Sequence, residues 1–273
     1  MPRTRTDSRP TPPLLRLYRA ARTGVHVLQG VATTTSVFPF LAPASRRAIV
    51  RRWCGRLLRI LNVDLRVHGQ WPLHAGNVLV VANHISWLDI FVLNAMQPVR
   101  FVAKSELARW PVVGRMIRGV GTLFVERTRM RDALRVNGQA TAALAGGDVV
   151  AVFPEGTTTD GTELLPFKSS LFEPIVEAQG RIQPVAIRFI DGAGAQSTAP
   201  AYVGDLPFLA SFWRVTGVRA LIVELHALDA IPAGAAPRRA LAKAAEASIR
   251  AALARPAGVT APGRRGDRKA ESP

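Results

Sequence analysis

The sequence predicts an α/β fold in which a mixed β-sheet is flanked by helices. Short apolar runs typical of buried strands alternate with stretches of helical length, as they do in chains that place helices on the faces of a sheet. The 273 residues suffice for one such domain of about 200 residues together with terminal segments. The strand-like runs lie at residues 78–82, 99–103, 121–127, 149–153, 183–190 and 220–228.

Composition divides the chain into four segments. Residues 1–22 combine proline with basic charge and are predicted to be a disordered lead, and residues 256–273 are predicted to be a disordered tail. Residues 23–62 are predicted to be a helical segment that associates with a membrane. Residues 63–255 hold the α/β domain, which ends in an alanine-rich helix at 236–255.

The membrane-associating segment begins with an uncharged stretch from Thr23 to Ser45. A helix of about 20 apolar residues can cross a bilayer, so this stretch is long enough. Threonines, prolines and a histidine reduce its hydrophobicity, however, and arginines flank both ends. The stretch therefore fits a re-entrant or interfacial helix as well as a spanning one.

The segment continues with SRRAIVRRWCGRLLRILNV, which predicts a basic amphipathic helix. Ile49, Trp53, Leu57 and Ile60 recur at helical spacing, and arginines stand between them. Two interpretations are open. The helix lies on an anionic membrane surface, or it is a surface helix that packs its apolar face on the domain.

The chain is strongly basic, since 36 lysines and arginines oppose 19 acidic residues to give a formal net charge of +17. Such an excess is attracted to phosphate-rich surfaces. Aromatic residues, which would stack on bases, make up only 7% of the chain, so anionic lipid is favoured and no nucleic acid partner is predicted. The single cysteine, Cys54, excludes an intrachain disulfide framework and a multi-cysteine metal site.

The strongest candidates for catalysis, His84 and Asp89, follow the run at 78–82. Residues five apart lie about 140° apart around an α-helix, so one of the two must lie outside the helix. Ser86 and Asp89 form an S-x-x-D capping pattern that leaves His84 in the preceding loop. There Asp89 can accept a hydrogen bond from one imidazole nitrogen and leave the other free as a base.

The alternative for these residues is that Ser86 and Asp89 only cap a helix and that His84 is an incidental loop residue. The pattern alone does not separate the two interpretations. Their location favours catalysis, because the carboxyl ends of strands are where the sites of α/β proteins assemble.

A second polar cluster follows the run at 149–153. Glu155 comes as the strand ends, and Gly156 and the threonines at 157–159 would expose backbone amides and hydroxyls to an oxyanion or a polar head group. The same residue types also form ordinary turns, so this pattern alone favours a turn.

Three basic residues are candidates for phosphate binding. Arg127 ends the run at 121–127 and suits bidentate phosphate recognition, although a solvated charge is the commoner outcome. Lys104 and Lys168 have the same two interpretations. The remaining histidines have no carboxylate partner at useful spacing in the sequence: His26, His68, His74 and His226.

Together these motifs resemble the PlsC-type glycerolipid acyltransferase family, which includes the 1-acylglycerol-3-phosphate and lysophospholipid acyltransferases. Four blocks typical of that family occur in the family order between residues 77 and 190. The blocks are Asn83-His84-x-Ser86-x-x-Asp89, Gly121 to Arg127, Phe153-Pro154-Glu155-Gly156-Thr157 followed by Phe167-Lys168, and Gln183 to Ile187.

The resemblance implies that residues 63–255 are an acyltransferase domain, which transfers a fatty acyl group from acyl-CoA or acyl carrier protein to a lysolipid hydroxyl. His84 would be the general base, and Asp89 would orient it and stabilise the imidazolium. No cofactor other than the acyl thioester, no metal and no covalent acyl-enzyme is expected. The motifs imply the following substrate-binding residues: Asn83, Ser86, Lys104, Arg127, Phe153, Pro154, Glu155, Gly156, Thr157 and Lys168.

One departure from the family concerns the acceptor. Many members that form phosphatidic acid carry an arginine after FPEGT, whereas this chain has Thr158. The form FPEGTTTDG looks more like members that acylate lyso-ornithine lipid or lysophospholipids with larger head groups. Lysophosphatidic acid also stays open as the acceptor, because Arg127, Lys104 and Lys168 could supply positive charge.

The expected partners are membrane lipids, the lysolipid acceptor and the acyl donor, and the expected location is the cytoplasmic face of the inner membrane. A long acyl chain is costly to expose to water, and both acyl donors are anionic, which suits a basic enzyme at a membrane. Two rival hypotheses remain. The chain is a non-enzymatic binder of anionic surfaces, or it is a hydrolase that uses the same His84 and Asp89 pair.

Overall fold

One mixed sheet organises the part of the chain that the structure, a computed structural model, describes, which is residues 11–71, 76–105, 113–125 and 130–256. Its strands are β1 (Val63–His68), β2 (Val78–Ala82), β3 (Arg100–Lys104), β4 (Leu123–Val125), β5 (Val149–Val152), β6 (Arg181–Asp191), β7 (Leu221–Ala227) and β8 (Ile231–Pro232). The helices are α1 (Pro13–Ala32), α2 (Pro43–Ile60), α3 (Leu88–Met96), α4 (Val113–Gly119), α5 (Met130–Ala145), α6 (Glu173–Glu177), α7 (Phe208–Gly217) and α8 (Arg238–Leu253).

The strands lie side by side in the order β1-β7-β6-β2-β5-β3-β4, and β8 pairs with β6. β2 lies between β5 and β6 and is parallel to both, so β2 and β5 end at the same edge of the sheet. β7 runs antiparallel to β6, and β1 runs parallel to β7. This arrangement confirms the mixed sheet that the sequence predicted.

The central strand β2 is buried along its whole length. Val78, Val80 and Ala82 belong to a core that includes residues of α2 and α3, whereas Leu79 and Val81 belong to a second core with residues of α8. Alternate residues of a strand point to opposite faces, so helices cover both faces here. A strand covered on both sides needs no polar face, which explains the continuous apolar run VLVVA.

α2 packs its apolar side on the domain. Leu57 and Leu58 are buried in the core beneath α3, and the indole N–H of Trp53 donates to the carbonyl oxygen of His26 in α1 over 3.1 Å. The arginines of α2 lie mainly on the outer side of the helix. The packing of α2 therefore agrees with the interpretation of a surface helix whose apolar face lies on the domain, since apolar side chains buried in a core are not available to a bilayer.

α1 has an unusual orientation, because its polar side faces the protein. Arg19, Thr23 and His26 are buried, and the Arg19 guanidinium donates to carbonyl oxygens at the end of α7 at 2.9 and 3.1 Å. The apolar side of the helix faces outward. Its most exposed apolar residues are Leu14 at 82%, Leu17 at 61%, Val25 at 57% and Leu28 at 63%.

The N-terminal boundary differs from the prediction. α1 begins at Pro13, so residues 13–22, which the sequence assigned to a disordered lead, are helical. The buried Arg19 gives the physical reason, because it fixes this part of α1 to α7. The predicted tail from residue 257 onward and residues 1–10 lie outside the described residues.

None of the helices in the described parts of the chain is both long enough and apolar enough to cross a membrane. The uncharged stretch from Thr23 to Ser45 instead forms the second half of α1, a π-helical turn at Thr33–Val37, a 3₁₀ turn at Phe38–Phe40 and the start of α2. Phe40, at the tip of this connection, is 87% exposed.

Candidate active site

The loop between β2 and α3 brings His84 and Asp89 together. The Nδ1 atom of His84 lies 2.8 Å from Oδ2 of Asp89. The Asp89 side chain is fully buried, whereas 19% of the His84 side chain is exposed. Since an ionised carboxylate only accepts hydrogen bonds, Nδ1 carries the proton, and Nε2 is the nitrogen that remains available as a base.

Asp89 also fixes the backbone of the loop. Its Oδ2 atom accepts hydrogen bonds from the backbone N–H groups of Ile85 at 2.7 Å and Ser86 at 2.8 Å. In return, Oγ of Ser86 accepts a hydrogen bond from the backbone N–H of Leu88 at 3.2 Å. These bonds form a variant of the capping box just before α3, whose first helical residue is Leu88, and they leave His84 outside the helix as predicted. The Asp89 side chain therefore both fixes the start of α3 and orients His84.

The imidazole of His84 is held on one face by Phe153. The two rings stack with centroids 3.9 Å apart and planes 8° apart. Phe153 in turn stacks on Phe101 of β3, with centroids 5.8 Å apart. Asp89 at the ring edge and Phe153 on the ring face together restrict the direction of the free Nε2 atom.

Glu155 holds the backbone of the catalytic loop through hydrogen bonds. Its side chain is 3% exposed, Oε1 accepts the backbone N–H of His84 at 2.7 Å, and Oε2 accepts the backbone N–H of Leu165 at 3.0 Å. Burial raises the pKa of Glu155, and these two backbone hydrogen bonds lower it to a lesser extent. Both carboxylate oxygens are thus occupied by the protein itself, and the geometry gives Glu155 a positioning role.

Asn83 has a similar supporting role. It is 3% exposed; its amide donates to the carbonyl oxygen of Ile187 at 2.9 Å and accepts the N–H of Ile187 at 2.7 Å. The side chain thereby continues the pairing between β2 and β6 beyond the end of β2. Asn83, Ser86 and Glu155, which the motifs place among the substrate-binding residues, are all engaged inside the structure.

The turn after β5 brings Lys168 to the site. Gly156 has a positive φ of 76°, and a Cβ at this position would lie 2.3 Å from Nζ of Lys168. The backbone N–H of Lys168 donates to the carbonyl oxygen of Pro154 at 2.9 Å. The positive φ favours glycine here, and the absence of a side chain lets the flexible Lys168 ammonium lie against the turn.

The threonines after Gly156 tie this turn to the catalytic loop. The N–H of Thr159 donates to the carbonyl oxygen of His84 at 2.9 Å, and the hydroxyl of Thr158 donates to the carbonyl oxygen of Tyr202. The N–H of Tyr202 donates to the carbonyl oxygen of Ile85 at 3.0 Å. Thr157 remains exposed. The sequence predicted that the backbone amides of this turn would face an oxyanion or a head group, whereas that of Thr159 donates to the carbonyl oxygen of His84. Sequence reasoning missed Tyr202, because its contact to the catalytic loop involves backbone groups, which leave no pattern in the sequence.

Two predicted substrate-binding groups belong to parts of the chain that the structure does not describe. Arg127 and the side chain of Lys104 lie outside the described residues. Of the predicted residues, the structure therefore stacks Phe153 on His84 and places Lys168 against Gly156 in the turn after β5, and Thr157 of the same turn is exposed.

An apolar cavity adjoins this site between the N-terminal helices and β3. Phe101, which stacks on Phe153, forms part of its wall. Apolar side chains dominate the lining, and the largest of them are Phe38, Ile49, Trp53, Ile90, Phe91, Phe101 and Ile117. A continuous series of rings therefore runs from the cavity through Phe101 and Phe153 to His84.

Comparisons with known proteins place this site in a family. Residues 64–188 match the family model described as Acyltransferase. A 1-acyl-sn-glycerol-3-phosphate acyltransferase from Neisseria meningitidis is 37% identical over 214 residues, which cover 78% of this chain and 83% of that protein. The chain belongs to the acyltransferase family. It is therefore an enzyme that transfers acyl groups, as the resemblance predicted.

Two further acyltransferases bear on the acceptor and the fold. A lyso-ornithine lipid O-acyltransferase from Pseudomonas aeruginosa is 35% identical over 208 residues, covering 76% of this chain and 79% of that protein. The crystal structure of the 1-acyl-sn-glycerophosphate acyltransferase PlsC from Thermotoga maritima has a TM-score of 0.68 and 21% sequence identity, covering 88% of this chain and 93% of that one. The fold is thus that of a known acyltransferase.

The geometry predicts a large effect of Asp89→Asn on acyl transfer. The asparagine keeps the size of the side chain but removes the charge that stabilises the imidazolium, so kcat should fall by about 10²–10⁴-fold. Ser86→Ala is the comparison variant, because it removes the helix cap at a cost of about 1 kcal/mol and leaves the His84 contact in place. Steady-state kinetics and urea unfolding of both variants measure the two effects. If activity fell equally in both variants, Asp89 would act only through the stability of α3.

The raised pKa of Glu155 predicts a pH-dependent contribution to stability. A carboxyl whose pKa is higher in the folded than in the unfolded protein favours folding at low pH, and this contribution is lost as the pH rises through the folded-state pKa. Glu155→Gln removes the titration. The free energy of unfolding of the wild type, relative to this variant, should therefore fall as the pH rises from below about 4.3 towards neutrality.

Urea unfolding over this pH range makes the measurement. Glu163→Gln, an exposed position on the same long loop, is the matched control, and its difference from the wild type should vary much less with pH. Parallel pH profiles for the two variants would contradict the assignment of a buried, titrating carboxyl to Glu155.

Proposed function

We propose that the protein is a membrane-associated O-acyltransferase that moves a fatty acyl group from acyl-CoA or acyl carrier protein to the free hydroxyl of a lysolipid, with 1-acyl-sn-glycerol-3-phosphate as the first candidate acceptor. The observation that carries this proposal is the His84 imidazole, whose Nδ1 is fixed at 2.8 Å from the buried Asp89 while the side chain is still partly exposed. This is the arrangement of a general base that activates a hydroxyl.

The reaction follows from this geometry. Nε2 of His84 takes the proton of the acceptor hydroxyl as the hydroxyl oxygen attacks the carbonyl carbon of the thioester. A tetrahedral intermediate forms and collapses with cleavage of the carbon–sulfur bond, and the departing thiolate receives the proton from the imidazolium. Asp89 stays ionised throughout and stabilises the imidazolium through Oδ2. The new ester and the free thiol are the products.

The apolar cavity supports a long acyl chain as the transferred group. Each methylene group removed from water contributes about 0.8 kcal/mol, so an apolar chain gains substantially from such a lining. Phe101 joins the cavity to Phe153 and hence to the ring of His84. An acyl chain lying in the cavity would have to pass the rings of Phe101 and Phe153 to bring its thioester to His84.

The acceptor head group would meet the positively charged and hydroxyl-bearing residues of the turn after β5. Lys168 lies against Gly156 and can supply a positive charge to a phosphate. Thr158, where many phosphatidate-forming members carry arginine, is bonded to the backbone at Tyr202 and adds no charge. The lack of a positive charge at Thr158 makes lyso-ornithine lipid the second candidate acceptor. One relative of this chain is named for the phosphate acceptor and another for lyso-ornithine lipid.

An assay of purified protein tests both acceptors. We expect acylated product from acyl thioester and 1-acyl-sn-glycerol-3-phosphate, identified by mass spectrometry, and its loss in His84→Ala. Lys168→Ala should raise KM for the phosphate acceptor, since a charge-assisted hydrogen bond contributes about 1.5–3 kcal/mol, and Lys243→Ala on the exposed side of α8 is the control.

Each other outcome has a defined meaning. Turnover that survives unchanged in His84→Ala would refute the mechanism. Free fatty acid without acylated lipid would instead indicate a hydrolase. Acylation of lyso-ornithine lipid alone would make that lipid the acceptor.

Membrane association is proposed from the outward apolar side of α1. Leu14, Leu17, Val25 and Leu28 are exposed on a helix whose buried side is polar, and Phe40 extends the exposed apolar surface. The +17 charge would add attraction to anionic lipid. Acyl-CoA and acyl carrier protein are cytoplasmic molecules, so the proposed location is the cytoplasmic face of the inner membrane.

Vesicle binding tests the α1 surface. Burial of one leucine contributes about 1.5–3 kcal/mol, so Leu17→Ser with Leu28→Ser should weaken binding to phosphatidylglycerol vesicles by at least about tenfold per leucine. Leu134→Ser removes an exposed leucine of α5, which is 67% exposed, and should bind as the wild type does. Vesicle flotation measures the bound fraction. Equal binding by the double variant and this control would place the membrane contact elsewhere.

A further inference from the structure

A second cluster of ligating side chains lies on β1 and β7, beyond β6 from the strand that leads to His84. The parallel register places His68 beside His226, and Glu224 precedes His226 by two residues on the same face of β7. The ligand atoms of these three residues all lie within 4.8 Å of one another. The expectation that neither histidine has a nearby carboxylate is therefore corrected, because Glu224 lies within 3.9 Å of both imidazoles.

The cluster is enclosed but still accessible. The Glu224 side chain is 1% exposed, and those of His68 and His226 are 19% and 17% exposed. The Nε2 atoms of the two histidines lie 3.9 and 3.6 Å from the Glu224 oxygens, beyond ordinary hydrogen-bond length. Among the described residues neither Nε2 atom has a hydrogen-bond partner, although both are buried. Buried polar atoms are rarely left in this condition.

We propose that His68, Glu224 and His226 bind a divalent transition-metal ion of the zinc type. Two imidazoles and a carboxylate are a ligand set that zinc prefers, with a water in the fourth position. At metal–ligand distances of about 2.0–2.1 Å, tetrahedral ligand atoms lie about 3.3 Å apart. Nε2 of His68 lies 3.9 Å from Oε1 of Glu224, and Nε2 of His226 lies 3.6 Å from Oε2. One ligand atom from each residue fits within 4.8 Å, so the ligand atoms must approach one another by up to about 1.5 Å to reach this spacing.

Binding requires a small rotation of the two imidazoles. Their rings stack with centroids 4.5 Å apart and planes 17° apart, so their lone pairs are nearly parallel and must turn to converge on one ion. Partial exposure leaves the rings room to do so. The neighbouring cation on this face, Arg188, donates to carbonyl oxygens at the C-terminal end of α8. Its positive charge still acts on His226, so the Glu224 carboxylate would have to offset it when a cation binds.

A bound ion would fasten β1, an edge strand of the described sheet, to β7. The ends of β1 and β7 already approach closely just after His68, where a Cβ on Gly69 would lie 2.1 Å from the carbonyl oxygen of Ala227. The ion would thus fix the end of β1 at the point where the chain leaves for β2. This role is structural and separate from acyl transfer.

Calorimetric titration of the full-length, tag-free, metal-free protein with Zn²⁺ tests the proposal. We expect one ion per chain and a rise in Tm, since a ligand that binds only the folded protein stabilises it. His68→Ala and His226→Ala should each weaken binding by more than about 100-fold, because loss of even an outer-shell partner costs about 10–100-fold. Co²⁺ should produce the intense visible absorption of a tetrahedral site in the wild type, and this absorption should be absent from His68→Ala and His226→Ala.

His84→Ala is the matched control, because it removes a histidine from the catalytic loop and should leave Zn²⁺ binding unchanged. Circular dichroism of the variants without metal verifies folding, and His68→Gln replaces His68→Ala if the latter does not fold. Three results would overturn the proposal: no saturable one-to-one binding by the wild type, wild-type affinity in His226→Ala, or loss of binding in His84→Ala.

Discussion

The catalytic arrangement depends on a single buried carboxylate oxygen, Oδ2 of Asp89. It accepts hydrogen bonds from the imidazole of His84 and from the backbone N–H groups of Ile85 and Ser86. The direction of the base, the path of its loop and the start of α3 are therefore set by one acceptor. Because Leu88 and its neighbours in α3 are completely buried, the position of that acceptor follows from close packing against the sheet. The precision of the site is thus a property of the core.

Most polar residues of the family motifs support the site without facing the substrate. Asn83 extends the pairing of β2 with β6, Ser86 caps α3, and Glu155 accepts N–H groups from two loops. Backbone groups left unpaired where strands end would be costly, since little water reaches them. A long polar motif is consequently needed to place one free imidazole nitrogen at the end of a buried strand.

The sequence predicted the parts of this arrangement that are local. His84 and Asp89 are five residues apart, and the capping pattern alone indicates which of them leaves the helix. The partners of Asn83 and Glu155 lie far away along the chain, so spacing could not distinguish a supporting residue from a substrate ligand. The same limitation hid the cluster on β1 and β7, because only the register of the two strands brings His68 to Glu224 and His226. The orientation of α1 was also unpredictable, since an apolar stripe does not reveal whether protein or lipid covers it.

The bonds between the threonine turn and the catalytic loop have a consequence for the divergence of this family. Thr159 donates to the carbonyl oxygen of His84, and Tyr202 connects Thr158 to Ile85. Under the proposed function the turn faces the acceptor and His84 is the base, so a change in the turn would also move the loop that holds the base. A family member or an engineered variant that exchanges the turn would then need a matching change in the segment around Tyr202.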